Sequence, residues 1–286
     1  MAAYLIHTLT LLGIYSIVSL SYAIPVGYTG LLQLGQIGLF AIGAYASAII
    51  TAKGISFWAA LPLASLITAC FGFLLALPSK KIKGDYYALV TLGFLFVVNA
   101  ILLNWIDLTS GPFGISGIKR PTGFTDPISY LFLVAIILFF VAWFVYRVVH
   151  SPFGKTLEAV RDDEVVAESL GKPTAKLKVV SLVVSAAIAG IAGALLAHFI
   201  QFINPQLFWL DNAVWILAAL TVGGLASFPG ALIGMGVLFI LLEPLRFLAL
   251  PIGLVGPMRL MLFSLLLLLV VLFRPKGLLG RAQIEN

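Results

Sequence analysis

Charged side chains are concentrated in one stretch of this chain, residues 150–178. Ser151 is a favourable N-cap, and Gly171 followed by Pro173 favours a helix end. The stretch therefore predicts one short helix over residues 151–171.

At about 100° per residue, this helix has a narrow apolar face and a charged face. The apolar face consists of Phe153, Leu157, Val160 and Ala167. The charged side chains are Glu158, Arg161, Asp162, Asp163, Glu164 and Glu168, with Lys155 in the first turn. Such a helix suits docking into a groove of a soluble partner, so Phe153, Leu157 and the charged residues from Glu158 to Glu168 are candidate contacts. The alternative is a segment lying on the bilayer, which an acidic cluster disfavours because that surface is anionic.

The same stretch contains Gly154-Lys155-Thr156, which matches the end of a phosphate-binding loop, G-x-x-x-x-G-K-[ST]. Val149 occupies the position of the first glycine, and an apolar run precedes it instead of a strand. We therefore expect no ATPase site in this chain.

Other chemistry is not indicated by the sequence. His7, His150 and His198 are far apart, Cys70 is the single cysteine, and no H-E-x-x-H or G-x-S-x-G motif occurs. We expect no catalytic residue, no metal site, no cofactor and no enzymatic activity. Acidic residues lie in loops or near the ends of apolar runs, which argues against a buried proton or sodium relay.

The elements that position the charged stretch are apolar. Of 286 residues, 62% are apolar and 10% charged, and the mean hydropathy is +1.13. Soluble domains have about 45–50% apolar and about 25% charged residues. Apolar runs long enough to cross a hydrocarbon layer of about 30 Å recur along the chain. The composition predicts an all-α polytopic membrane protein with a single transmembrane domain over residues 1–286, and its net charge of +6 reflects membrane topology, not nucleic-acid binding.

About nine transmembrane helices are predicted. They are Leu5–Ile24, Leu31–Ile50, Phe57–Leu77, Tyr86–Leu103, Ile128–Val148, Val179–Ile203, Ala213–Ser227, Ala231–Leu248 and Met258–Phe273. The second is rich in glycine and is also compatible with a broken or re-entrant helix. Most of the 17 basic residues fall on one side, which predicts an N-out, C-in orientation with that side cytoplasmic. The longest loop on the other side is residues 104–127.

Several polar side chains lie within or beside the apolar runs. They are Gln33, Gln36, Thr91, Asn99, His198, Gln201 and Asn204. A polar side chain that faces lipid lacks partners, so these residues are expected to face protein or a water-filled translocation pathway. Hydrogen bonding between helices is the alternative, and it is the commoner role of such groups.

Several motifs together resemble a known family. They are Gly27-Tyr28-Thr29-Gly30-Leu31-Leu32, Gly43-Ala44-Tyr45, Lys83-Gly84-Asp85-Tyr86-Tyr87-Ala88-Leu89-Val90-Thr91-Leu92-Gly93-Phe94, Thr109 to Gly114, His150-Ser151-Pro152-Phe153-Gly154-Lys155, Ala159-Val160-Arg161-Asp162-Asp163-Glu164 and Arg274-Pro275-Lys276-Gly277-Leu278-Leu279-Gly280. The chain resembles the LivM-type permeases of branched-chain amino acid ABC importers over almost its whole length.

The resemblance implies a permease subunit that translocates leucine, isoleucine and valine into the cytoplasm of a bacterium or archaeon through its plasma or inner membrane. It implies a heterodimer with a LivH-type permease, two cytoplasmic ABC ATPase subunits and an external amino-acid-binding protein, with membrane lipid as the other contact and no nucleic acid. Residues 151–171 would then be the coupling helix, although the glycine of the generic importer coupling motif is absent four positions after Ala159.

Other functions remain compatible with the sequence. The same family includes permeases for urea and short amides. A passive channel or facilitator for a small neutral solute would conduct without nucleotide, an ion-coupled carrier would depend on an ion gradient, and a membrane scaffold would not transport.

Overall fold

The computed structural model describes residues 2–82 and 84–242, and beyond them residues 261, 264, 265, 268, 270, 272–274 and 277–280. Its α-helices are α1 Ala2–Ala23, α2 Gln36–Ala52, α3 Phe57–Ala76, α4 Asp85–Asn104, α5 Ile106–Thr109, α6 Pro127–Val149, α7 Pro152–Asp162, α8 Glu164–Ser169, α9 Thr174–Ile200, α10 Leu210–Gly223 and α11 Phe228–Leu242. A π-helix, Ile24–Tyr28, continues α1, and short 3₁₀ turns cover Pro78–Lys80, Gly111–Phe113 and Pro205–Phe208. The two strands are β1 Ile115–Ser116 and β2 Phe202–Ile203.

Six of the described helical segments are long and apolar enough to cross a membrane. They are Ala3–Tyr28, Phe57–Lys80, Tyr86–Asn104, Pro127–Val149, Thr174–Ile200 and Pro205–Gly223, and the shorter apolar helices are Gln36–Ala52 and Phe228–Ile240. The first eight predicted spans thus coincide with apolar helices, which makes the chain a polytopic, helical membrane protein. The end of the eighth predicted span and most of the ninth, Met258–Phe273, lie outside the described residues.

The second predicted span is helical only from Gln36 onward. The segment before it begins with the π-helix that contains Pro25, and Gly30 has a left-handed φ of +71°. The Leu31 N–H donates to the Pro25 carbonyl at 2.9 Å. We refer to residues 24–35 as the junction between α1 and α2.

Side-chain neighbours show which way the first two helices run. His7 of α1 lies 4.9 Å from the Phe199 ring, between ring centroids, near the C-terminal end of α9. Ser47, in the second half of α2, lies 3.0 Å from His198 in the same region. The chain therefore runs along the bundle in α1, reverses direction at the junction and runs back in α2.

The two ends of the bundle differ in charge. Leu31 of the junction, Ala76 at the end of α3 and Val179 at the start of α9 pack in one cluster, so these segments share an end. This end, which we call the basic end, includes Lys80, Lys81, Lys155, Arg161, Lys172, Lys176 and Lys178. The described basic residues of the opposite end are Lys53, Lys119 and Arg120. The separation agrees with the loop assignment made from the sequence.

Helix α9 is the centre of the packing. Its small residues Ser185, Ala189, Gly193 and Ala197 recur every four positions, and all are buried. A Cβ at Gly43 of α2 would lie 2.5 Å from the Gly190 Cα of α9. Because neither residue has a side chain, the two backbones approach closely, as in other small-residue helix contacts.

The loop over residues 104–127 is fixed against the opposite end. Its strand β1 pairs antiparallel with β2, and Ile115 is opposite Ile203. Arg120 Nη2 donates to the Phe199 carbonyl at 3.3 Å. The loop therefore folds onto the C-terminal end of α9.

The close contact of α2 with α9 generates a stability prediction. We expect Gly43→Ala to lower the free energy of unfolding by about 1–3 kcal/mol, because the added methyl forces the helices apart. The measurement is thermal unfolding of the purified protein in detergent. Gly93→Ala is the matched control, since no atom lies within 4 Å of its Cβ position; equal effects of the two substitutions would contradict the packing argument.

Candidate functional site

The stretch 151–171 forms two helices, not the single predicted helix. Ser151 caps α7 by accepting a hydrogen bond from the Gly154 N–H at 3.4 Å, as predicted. Asp163 adopts an extended conformation, with φ −157° and ψ 107°. Its carboxylate accepts hydrogen bonds from the Val165 and Val166 N–H groups at 2.9 and 3.0 Å. Asp163 thus starts a new helix, because its side chain binds donors at the start of α8.

The predicted apolar face is turned toward the chain itself. Leu157, Val160 and Ala167 are buried, with 1%, 3% and 3% exposure, and Leu157 belongs to the main hydrophobic core. Phe153 is half-buried and packs against the same core. The interpretation of this face as the partner-docking surface is therefore corrected: it seals the segment onto the membrane helices.

A different apolar patch is exposed on α8 and just after it. Val165, Val166 and Leu170 have 67%, 53% and 73% exposure. We call these three residues the α8 patch. Sequence reasoning missed it because a single helix was assumed, and the break at Asp163 resets which side chains face outward. The available signal was Asp163 itself, a strong N-cap residue inside the proposed helix.

Charged residues anchor the segment to the bundle. Lys178 of α9 donates to Glu164 at 2.6 Å, and their side chains are 5% and 19% exposed. The Thr174 hydroxyl donates to Glu168 at 2.9 Å. Arg161 Nη1 donates to the Gly27 carbonyl of the junction at 3.0 Å. The segment is therefore held at the basic end by polar contacts as well as by its apolar face.

The remaining charged candidates face solvent to different extents. Arg161 also pairs with Asp162 at 2.7 Å, and the Asp162 side chain is 67% exposed. Glu158 pairs with Lys155 at 3.1 Å, with 22% and 62% side-chain exposure. Of the predicted coupling residues, Asp162, Asp163 and Glu168 are accessible, whereas Leu157 is enclosed.

The candidate pathway residues form two groups. In the first group, Gln33 belongs to the junction, and Gln36 and Thr91 lie beside it. All three are buried. The Gln36 amide donates to Ser21 at 2.8 Å and to Ser185 at 3.0 Å, which ties α1, α2 and α9 together.

The junction's main chain is bound by neighbouring side chains. The Thr91 hydroxyl accepts a hydrogen bond from the Leu34 N–H at 2.9 Å. The Tyr22 hydroxyl donates to the Gln33 carbonyl. The Gln33 side chain itself is fully buried, and neither its nitrogen nor its oxygen has a hydrogen-bond partner among the residues that the structure describes.

The second group lies toward the opposite end. Asn99 donates to the Phe208 carbonyl at 3.1 Å. His198 connects Ser47, at 3.0 Å, with the Lys119 carbonyl, at 2.6 Å.

Gln201 and Asn204 lie where α9 ends. The Gln201 carbonyl accepts from the Ile118 N–H at 3.3 Å, and the Asn204 side chain accepts from the Leu207 N–H at 3.2 Å. Gln201 is exposed and Asn204 half-exposed. Apart from the Gln33 side chain, the buried members of both groups thus connect helices and loops. A role for either group in a pathway stays a prediction.

A cleft of about 210 Å³ opens at the basic end. Its walls include Tyr28, Lys155, Glu158 and Phe228. It separates α7 from the turn between α10 and α11.

These features define a class of protein. Apolar helices that cross a bilayer several times surround buried polar links, and a compact charged segment sits at one end. Among the described residues, no group of three or more His, Cys, Asp or Glu side chains is placed to hold a metal ion. A multi-pass membrane permease has this organisation.

Comparison with known proteins gives the family. The profile of the branched-chain amino acid transport system permease component matches residues 4–272, and the chain belongs to this family. High-affinity branched-chain amino acid transport system permease proteins LivM from Salmonella typhimurium and Escherichia coli are each 35% identical, over 96% of this chain and 69% of their own length. The corresponding LivH protein of Escherichia coli is 27% identical, over 97% of this chain and 94% of its own. Among solved structures, a chain of PsaBC from Streptococcus pneumoniae in complex with Fab covers 94% of this chain and 91% of its own, with 15% identity and a TM-score of 0.48.

The Glu164–Lys178 pair generates the second prediction. Glu164→Gln leaves the Lys178 ammonium buried without its counter-charge, so we expect a loss of about 3–5 kcal/mol in the free energy of unfolding. Thermal unfolding in detergent measures this loss, and the double variant Glu164→Gln/Lys178→Met is expected to recover most of it.

Glu158→Gln serves as the control for this prediction. Its partner Lys155 is 62% exposed, so the expected loss is at most about 1 kcal/mol. A Glu164→Gln variant as stable as Glu158→Gln would show that the buried pair does not hold the segment.

Proposed function

We propose that this chain is the transmembrane permease subunit of an ATP-driven ABC importer that translocates leucine, isoleucine and valine into the cytoplasm. The observation that carries this proposal is the family match over residues 4–272. Relatives named as branched-chain amino acid permeases cover nearly the whole chain. The energy for uphill transport comes from other subunits, because Val149 occupies the position where a phosphate-binding loop needs glycine.

The basic end is the cytoplasmic end. Short loops rich in Lys and Arg stay on the cytoplasmic side of a membrane protein. The start of α1 lies at the opposite end, so the N-terminus faces outward and, with nine spans in a single domain over residues 1–286, the C-terminus faces inward. Bacterial and archaeal relatives support a plasma or inner membrane location.

The partners follow from the transport system. The LivM and LivH proteins of Escherichia coli both match this chain, which supports a heterodimer of two homologous permeases. Two cytoplasmic ABC ATPase subunits supply energy, and an external amino-acid-binding protein delivers the substrate. The loop over residues 104–127 lies at the end of the bundle opposite the basic end, as do Gln201 and Asn204 after α9. The external binding protein would approach this end.

The α8 patch and the acidic residues around it are the ATPase contact. Val165, Val166 and Leu170 are exposed apolar side chains on a surface segment that is itself firmly anchored. The exposed carboxylates of Asp162 and Glu168 flank them. An apolar centre with a charged rim is the usual composition of a protein interface. The segment therefore couples through α8, while α7 serves as its base.

The test is transport by the reconstituted complex. The proteoliposomes contain this chain, a LivH-type partner and the two ATPase subunits, and the binding protein is added outside. Uptake of radiolabelled leucine and urea is measured with and without ATP at the basic end. We expect ATP-dependent accumulation of leucine. We expect Val165→Asp/Leu170→Asp to lower it about tenfold or more, because charges placed in the apolar centre release the ATPase subunits.

Lys155→Gln is the matched control, since this residue lies on α7 away from the α8 patch and its ion pair is largely exposed. Its uptake is expected within about twofold of the unmodified complex. Equal leucine and urea flux through this chain alone without nucleotide would reject the importer and leave a passive channel. ATP-driven uptake of urea without leucine would retain the importer and change its substrate.

A further inference from the structure

Three parts of the fold meet at one residue of the junction. Gly27 is buried in the π-helix. A Cβ at this position would lie 2.7 Å from the Ala226 nitrogen, in the turn between α10 and α11. On its other side the Gly27 carbonyl accepts the hydrogen bond from Arg161 of α7. Movement of α7 therefore reaches two membrane segments through a single contact.

The Arg161 side chain lies closely against the junction. A Cβ at Gly30 would lie 2.9 Å from Arg161 Cγ, and Gly30 has a left-handed φ of +71°, so both space and conformation favour glycine there. Two further guanidinium N–H groups, Nε and Nη2, donate to Asp162 at 2.9 and 2.7 Å. The guanidinium thus joins an exposed carboxylate to a buried main-chain carbonyl.

The junction is suited to changing its arrangement. A π-helix replaces the regular hydrogen-bond ladder, and such segments occur frequently at functional sites. The backbone over residues 29–35 has no helical ladder of its own. Gln33 is buried there, and its side-chain amide has no partner within the described part of the chain, which destabilises the observed arrangement relative to one in which the amide is bonded. Two arrangements of the junction can therefore be close in free energy.

We propose that Arg161 does not contact the ATPase. It transmits the movement of the coupling segment, residues 151–171, to the junction and so positions the transmembrane pathway. This inference rests on the proposed function. When an ATPase subunit moves α8, α7 moves with it, because the single residue Asp163 joins the two helices. The Arg161 hydrogen bond then displaces the Gly27 carbonyl, and the junction and the α10–α11 turn rearrange together.

The experiment compares transport with ATP hydrolysis in the same proteoliposomes. Arg161→Gln keeps a polar side chain but removes the guanidinium, which donates to both Gly27 and Asp162. We expect the ATPase subunits to remain bound and hydrolysis to continue, while the leucine transported per ATP hydrolysed falls about tenfold or more. Arg161→Lys is expected to recover part of this ratio, because an ammonium can donate to Gly27 but cannot hold Asp162 with the same fork. Lys155→Gln is expected to leave the ratio unchanged.

Hydrogen–deuterium exchange separates a transmitting role from a structural one. In the unmodified complex, ATP with vanadate is expected to change exchange at residues 24–35, and in Arg161→Gln this response is lost although the complex stays assembled. Loss of the ATPase subunits together with transport would instead make Arg161 a docking contact, and an unchanged transport-to-hydrolysis ratio would remove its role. If Arg161→Gln does not assemble, an Arg161→Lys ratio equal to that of the unmodified complex overturns the proposal. Absence of ATP-driven uptake in the unmodified complex would reject the proposed function itself.

Discussion

A membrane interior offers no water to the main chain, so every backbone donor and acceptor must find a partner within the protein. The junction between α1 and α2 depends most on this constraint, because its main chain leaves the helical hydrogen-bond ladder where it reverses direction at the basic end. Tyr22 and Thr91 bind its main chain from neighbouring helices, and Arg161 binds it from the segment at the basic end. The junction is therefore stabilised by hydrogen bonds from α1, α4 and α7.

The position of residues 151–171 follows from these contacts. Arg161 fixes α7 to the junction, while the Glu164–Lys178 pair fixes α8 to α9. With its base held on the bundle, the segment exposes the apolar side chains Val165, Val166 and Leu170. A surface patch that is anchored in this way can pass a displacement to the membrane helices, whereas a flexible loop would absorb it.

The close packing of α9 explains where the polar residues lie. Small residues along α9 bring α2 and α3 close to it. Gln36 of α2 thereby reaches Ser185 of α9, and His198 of α9 reaches Ser47 of α2. Polar groups that would be costly in lipid thereby become connections between helices.

The sequence alone determined the membrane class, the apolar segments and the family, because composition, hydropathy and local motifs are properties of short stretches. It also identified Ser151 as a helix cap, and it assigned most of the basic residues to loops on one side of the membrane. Only the tertiary structure decided that the second predicted span is helical from Gln36 onward, that the face of Leu157 is turned inward and that Val165 and Leu170 are exposed. Periodicity gives the angle between side chains on one helix, but it does not say which face meets the bundle, and it fails where Asp163 starts a new helix. The contact between Arg161 and Gly27 joins residues far apart in the chain, so no local pattern could reveal it.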